Sequence, residues 1–195
     1  MVCSAADTVV CQLEPSVQKL LVESVRQVLK QSPLVRPISK GGMPMRVRVS
    51  AAGELGWVGD GEYRYDPVDS RGNAWPRMPG RWSQIANEMA GVHAWDSAII
   101  NWYDEGASLG WHQDKGEKDT SLPIVTISLG DAASWAIRRD GDSPVSRARI
   151  GSGAVTLLSG ESRGYFHTIE RIVAEPLFSP LEVRGRISIT IRVAG

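Results

Sequence analysis

Hydrophobic and polar positions alternate strictly near the end of the chain, where Arg186, Ser188, Thr190 and Arg192 interleave with Ile187, Ile189 and Ile191. A period of two belongs to a β-strand with one apolar face. A strand over Arg186–Val193 is therefore expected, with its isoleucines in a core and its polar face either solvated at an edge or turned to a ligand. Toward the start of the chain the period lengthens. Val17, Leu20, Leu21, Val25, Val28 and Leu29 recur at helical spacing, with Pro15 placed to open the helix and Ser32-Pro33 to end it. A shorter helix is expected within Trp82–Met89, where Ile85 and Met89 stand one turn apart. From Ala94 onward short apolar runs are separated by Gly, Pro and Asp: Ala98–Tyr103, Ile124–Leu129, Ser134–Arg138, Arg147–Ile150, Ala154–Leu158 and Gly164–Val173. Trp57 and Tyr63 flank Val58-Gly59-Asp60-Gly61-Glu62, which reads as a hairpin turn. Many short strands with few helices predict a mainly β fold with flanking helices (α+β), arranged as a sandwich or barrel.

A chain of 195 residues can bury one substantial core, and nothing in its composition demands a second domain. Its formal net charge is zero, which argues against a protein that coats DNA nonspecifically but leaves room for a local basic patch. Arginine outnumbers lysine, and Arg138, Arg139, Arg147 and Arg149 flank the loop Asp140-Gly141-Asp142-Ser143-Pro144. These side chains are suited to phosphates, although any single one reads equally as a solvated residue on a strand. Cys3 and Cys11 have no metal or redox spacing, no segment is apolar enough to span a membrane, and the first residues lack a secretory pattern. A cytoplasmic protein without a membrane association or an obligate protein partner is expected, in all simplicity a monomer.

Histidine occurs only three times, so the pair His112 and Asp114 in Trp111-His112-Gln113-Asp114 narrows the search for chemistry. On an extended strand, residues i and i+2 share a face. An imidazole and a carboxylate can then meet one metal ion, and His167 in another strand-like segment can complete a two-histidine, one-carboxylate triad. Such a triad leaves open positions on iron(II). From spacing alone, a histidine hydrogen-bonded within a strand stands beside that reading. Arg186 and Arg192 are about 20 Å apart on an extended strand. A division of labour follows, with Arg186 forking a ligand carboxylate and Arg192 nearer the metal end. Asn101 and Tyr103 share one face of a strand that precedes the His-x-Asp pair.

Together with Gly53-Glu54-Leu55-Gly56-Trp57, Tyr63-Arg64-Tyr65-Asp66-Pro67, Trp75-Pro76-Arg77-Met78-Pro79, Ile127-Ser128-Leu129-Gly130-Asp131 and Ser159-Gly160-Glu161-Ser162-Arg163, these residues closely resemble the AlkB family of iron(II) and 2-oxoglutarate-dependent dioxygenases. The resemblance runs along most of the chain. It implies a double-stranded β-helix (jelly roll) in one domain, with residues 1–93 supplying helices and a nucleotide-recognition lid and residues 94–195 the catalytic core. It also implies Fe(II) on His112, Asp114 and His167, with 2-oxoglutarate on Asn101, Tyr103, Arg186, Ser188 and Arg192, and O2 as the second cosubstrate. Trp57 and Tyr63 would contact the damaged nucleotide, and Arg138 and Arg147 the backbone. The expected reaction is oxidative demethylation of 1-methyladenine or 3-methylcytosine in alkylated single-stranded DNA or RNA, with release of formaldehyde and succinate. No side chain is assigned as a general acid or base, because the metal and cosubstrate carry the difficult step.

Two positions depart from the family pattern. Gly116 stands where repair members carry an acidic residue that reads the base, and Glu117 or Asp119 can replace it only if the loop folds back. Ser188 stands where asparagine is common, and it keeps a hydroxyl on a shorter side chain. Gly116 keeps open a dioxygenase of the same fold acting on tRNA or a non-nucleic-acid substrate. A noncatalytic nucleic-acid-binding module is the further alternative, although it would have no need of the triad or of both arginines. His93 has no ligand counterpart and is expected to be structural or on the surface.

Overall fold

The computed structural model describes residues 4–39, 41–92, 94–175 and 178–195; His93 and Cys3 lie outside the described residues. The first half contains β1 (Val9–Gln12), α1 (Pro15–Gln31), β2 (Val47–Gly53), β3 (Gly56–Gly59), β4 (Tyr63–Asp66) and α2 (Gly80–Ala90). Eight strands follow: β5 (Ser97–Tyr103), β6 (Leu109–His112), β7 (Ile124–Gly130), β8 (Ala132–Arg138), β9 (Ser146–Ile150), β10 (Ala154–Leu158), β11 (Phe166–Val173) and β12 (Arg186–Arg192).

The strands form a major sheet in the order β1-β10-β7-β12-β5-β2, a minor sheet in the order β6-β11-β8-β9, and the β3-β4 hairpin. From β5 to β12 the chain moves back and forth between the two large sheets, which is the jelly roll that the resemblance implies. Neighbouring strands pair antiparallel throughout both sheets. At the β7–β8 corner a single residue, Asp131, carries the chain from one sheet to the other. Gly130 takes φ +90° there, and a Cβ on it would come within 2.6 Å of the Gly185 carbonyl oxygen, so only glycine makes the turn. Asp131 fastens the corner by accepting from the Gly185 amide at 2.9 Å and from Arg184 Nε at 2.7 Å.

The alternation in β12 is what divides the interior. Ile187, Ile189 and Ile191 point to a core shared with Leu21, Val25 and Val28 of α1 and with Trp82 and Ile85 of α2. Arg186, Ser188, Thr190 and Arg192 point to the space between the sheets. β12 lies in the middle of its sheet and is buried along its whole length, so the solvated-edge reading of its polar face does not hold. α1 begins at Pro15 and is capped after Gln31 by Ser32, whose carbonyl and hydroxyl both bond Ser50 Oγ. Leu20 falls off the buried stripe of α1 and is 52% exposed. Trp82 Nε1 donates to Ser24 Oγ at 2.8 Å and so joins the two helices.

β1 and β2 were not expected. Both belong to the major sheet, so residue 93 is not a boundary between lid and core: the first half of the chain supplies two sheet strands as well as the hairpin. Ser50, Ala51 and Ala52 give β2 small, evenly buried positions in place of an alternation. Among the described residues no helix is long and apolar enough to cross a membrane.

Ile189 sits where both neighbouring strands and both helices converge. Replacing it with alanine should cost about 2–5 kcal/mol, read as a lower denaturant midpoint with an unchanged m-value.

Candidate active site

The two sheets enclose a cavity of about 600 Å³. Its major-sheet wall comes from register. Arg186 lies opposite Tyr103 and Ser188 opposite Asn101 across the β12–β5 ladder, so all four side chains share a face. The minor-sheet wall carries Trp135, His167 and Ile169, and the β3–β4 hairpin closes part of the mouth with Trp57, Tyr63 and Tyr65.

His112 reaches this cavity through an irregularity. In the β6–β11 ladder His112 pairs with His167 and Leu109 with Ile169, which puts three steps on β6 against two on β11. The extra residue is a β-bulge, and it turns both Leu109 and His112 inward. The strand ends at His112, so Asp114 does not share a strand face with it as the spacing suggested. Asp114 comes from the following loop instead, where Arg163 Nη1 donates to its backbone carbonyl at 2.9 Å.

The outcome is a compact cluster. One ligand atom each from His112, Asp114 and His167 lie within 4.8 Å of one another. Asp114 places Oδ1 3.9 Å from His112 Nε2 and Oδ2 3.7 Å from His167 Nε2. Each Nδ1 faces a carbonyl, Gly110 O at 2.8 Å for His112 and Tyr165 O at 3.2 Å for His167. A carbonyl can only accept, so the proton sits on Nδ1 and the Nε2 lone pairs face inward, as metal ligation requires. Burial pushes His167 down to about 4, which keeps the imidazole neutral. Burial raises Asp114, but the positive groups around it, the Arg192 guanidinium foremost, together outweigh that and hold its carboxyl well below the usual range. The donor set and its protonation suit a divalent transition metal.

The two arginines of β12 have different surroundings. Arg192 Nη1 donates to Glu117 Oε1 at 2.5 Å, and its Nη2 lies 3.5 Å from Asp114 Oδ2. Arg186 donates to Ser128 Oγ at 2.8 Å and lies over the Tyr103 ring, but its Nε and Nη1 are buried without an acceptor. No carboxylate among the described residues lies in ion-pair range of Arg186. Burial pushes its guanidinium pKa down and pushes the Tyr103 phenol up. A buried cation with spare donors beside a protonated phenol is a site for a carboxylate. Asn101 Nδ2 is 3.4 Å from Ser188 Oγ, a long contact that leaves both side chains facing the cavity.

Trp57 and Tyr63 pack at 5.1 Å between ring centroids, tilted by 47°, and both line the cavity with His112. Arg138 and Arg147 do not line it. Arg147 pairs with Glu170 at 3.0 Å on the outer side of the minor sheet, and Arg138 lies over the exposed ring of Trp111. Three residues quoted in the motifs without a role, or with a different one, turn out to be central. Glu117 has a side chain only 1% exposed and meets Arg192, Arg163 at 3.0 Å, and the Tyr65 hydroxyl, which donates to it at 3.1 Å. Gly116 makes this possible, since its φ of +110° turns the loop back on itself. Asp119 stays outside and bonds Ser121.

The sequence profile of the 2OG-Fe(II) oxygenase superfamily matches residues 12–192. The chain is 36% identical over 192 residues to an alpha-ketoglutarate-dependent dioxygenase AlkB homolog of Caulobacter vibrioides, an alignment covering 93% of this chain and 84% of the relative. It is 34% identical over 185 residues to alpha-ketoglutarate-dependent dioxygenase AlkB of Escherichia coli, covering 90% and 84%. The solved structure of OsALKBH1 superposes with a TM-score of 0.77 at 25% identity, covering 92% of each chain.

Removing Glu117 strands two buried guanidinium groups. Glu117→Ala should destabilise the protein by about 3–5 kcal/mol, and Glu117→Gln by less, since the amide oxygen can still accept. Asp119→Ala, on the exposed side of the same loop, should cost no more than about 1 kcal/mol; chemical denaturation of the three variants separates these outcomes.

Proposed function

The chain belongs to the 2OG-Fe(II) oxygenase superfamily, and within it to the AlkB family, and we propose that it is an oxidative demethylase of N-alkylated bases such as 1-methyladenine and 3-methylcytosine in single-stranded DNA or RNA. It is an Fe(II)- and 2-oxoglutarate-dependent dioxygenase. The observation that carries the substrate reading is one cavity that combines three elements: the His112, Asp114 and His167 cluster, the uncommitted Arg186, and an aromatic hairpin at the mouth.

In this reading His112, Asp114 and His167 hold iron(II). With 2-oxoglutarate and O2 the metal would supply the hydroxylation of the alkyl carbon; succinate and carbon dioxide are formed from the cosubstrate, and formaldehyde leaves as the base regains its unsubstituted ring nitrogen. Arg186 forks the distal carboxylate of 2-oxoglutarate, and Tyr103 donates a hydrogen bond to it, because its raised pKa keeps the phenol protonated. Asn101 and Ser188 complete the polar wall. Arg192 acts at the metal end by holding Asp114 through one Nη while Glu117 fixes the other. Trp57 and Tyr63 receive the base, which leaves its stack to reach the metal; a single strand lowers the cost of that step. Gly116 has no side chain where an acidic group would approach the base, and a Cβ there would lie 3.5 Å from the Tyr65 ring, so the base edge is read without that carboxylate. We place the protein in the cytoplasm, acting as a monomer on nucleic acid.

Iron-loaded protein with 2-oxoglutarate should release formaldehyde from matched single-stranded DNA or RNA carrying either lesion, and a chelator should abolish the release. His112→Ala and Asp114→Ala should lose turnover altogether. Arg186→Met should raise KM for 2-oxoglutarate roughly 10- to 100-fold, the loss of a charge-assisted hydrogen bond. Trp57→Ala should raise KM for the oligonucleotide instead. No release from either polymer while 2-oxoglutarate is still consumed would overturn the nucleic-acid reading and keep the dioxygenase.

A further inference from the structure

The bulge that turns His112 into the cavity turns its neighbour Trp111 the other way, onto the outer face of the minor sheet, where it is 37% exposed. Arg138, the last residue of β8, lies over this indole with its guanidinium carbon 4.4 Å from the ring centroid. Two other arginines of this face are committed: Arg147 pairs with Glu170 at 3.0 Å and Arg149 with Glu175 at 3.1 Å. Arg138 gives one N–H to the Gly141 carbonyl at 3.2 Å, and no carboxylate among the described residues comes into ion-pair range of it. Both helices pack against the major sheet, on the far side of the sandwich.

An exposed indole beside an uncommitted guanidinium offers a π-face and a cation side by side. An apolar partner would not call for the charge, and an acidic peptide would not call for the ring; a nucleotide uses both, stacking its base and pairing its phosphate. The position also fits, because a base drawn into the cavity leaves its neighbours on the strand outside, and Trp111 is joined directly to a residue of the cavity wall. We propose that Trp111 and Arg138 form a second nucleotide contact, which stacks and pairs with a nucleotide flanking the damaged one in the same strand. The proposal rests on the demethylase reading and deepens it.

The test is the affinity of the full protein for a fluorescent, undamaged single-stranded oligothymidylate, read by anisotropy across a salt series. Trp111→Ala and Arg138→Gln should each weaken binding roughly tenfold, and Trp111→Phe, which keeps an aromatic ring, should lose less. Arg138→Gln should also lower the slope of log affinity against log salt by about one; the half-buried Arg138 belongs to neither hydrophobic core, so the variant stands even if Trp111→Ala fails to fold. Wild-type affinity in Arg138→Gln, or in a folded Trp111→Ala, overturns the proposal. So does a wild-type protein that ignores the undamaged strand: if it still releases formaldehyde from methylated oligonucleotide, the flanking contact falls alone, and if it does not, the demethylase reading falls with it.

Discussion

The interior of this sandwich has to hold positive charge. Strand β12 lies in the middle of the major sheet and projects Arg186 and Arg192 into a space walled by protein. Leaving either guanidinium unpaired costs several kcal/mol, and the surrounding structure is arranged around that cost. For Arg192 the answer is a network. Arg192 and Arg163 supply two positive groups, Asp114 and Glu117 two negative ones, and the four lie within 2.5 to 3.5 Å contacts of one another. To close it, the loop after β6 has to return to the sheet, which is why Gly116 adopts a left-handed backbone and why Glu117 points inward. The Asp114 carboxylate is thus oriented by the fold itself.

Arg186 has received no such answer. Its hydroxyl and aromatic neighbours, Ser128 and Tyr103, shape the site without neutralising it. A packed protein tolerates that arrangement when the missing partner comes from a ligand, and 2-oxoglutarate carries a carboxylate suited to it. The same strand therefore contains a charge paired within the fold and a charge with no carboxylate partner among the described residues. The distinction is one of neighbours rather than of residue type, since both are arginines on one strand face.

This also explains which parts of the site could be read from the sequence. The polar face of β12 was legible because a period-two pattern survives in one short segment, and its central position follows once the isoleucines need a core. The closeness of His112 and Asp114 was legible as spacing, but the route was not: a bulge and a strand end replace the simple alternation, and neither leaves a signature in the side chains. Glu117 meets an arginine 75 residues away, and Arg163 reaches the Asp114 carbonyl across 49. Contacts of that range have no local pattern. A buried glutamate in a loop rich in Lys, Gly and Asp looks like a solvated one. β2 was hidden for another reason, since Ser50, Ala51 and Ala52 pack by being small instead of by alternating.

The position of Glu117 has a consequence for the mouth of the cavity. Its partner Tyr65 belongs to β4, and Trp57 lies directly across the hairpin from Tyr65, so the strand pair is tied at that level to the charge network. Burial keeps the Tyr65 phenol protonated, which makes it a donor to Glu117 in place of a competing anion. Above this level the hairpin ends in Tyr63, which is 40% exposed. The hairpin and Asp114 are therefore linked through three side chains, Tyr65, Glu117 and Arg192.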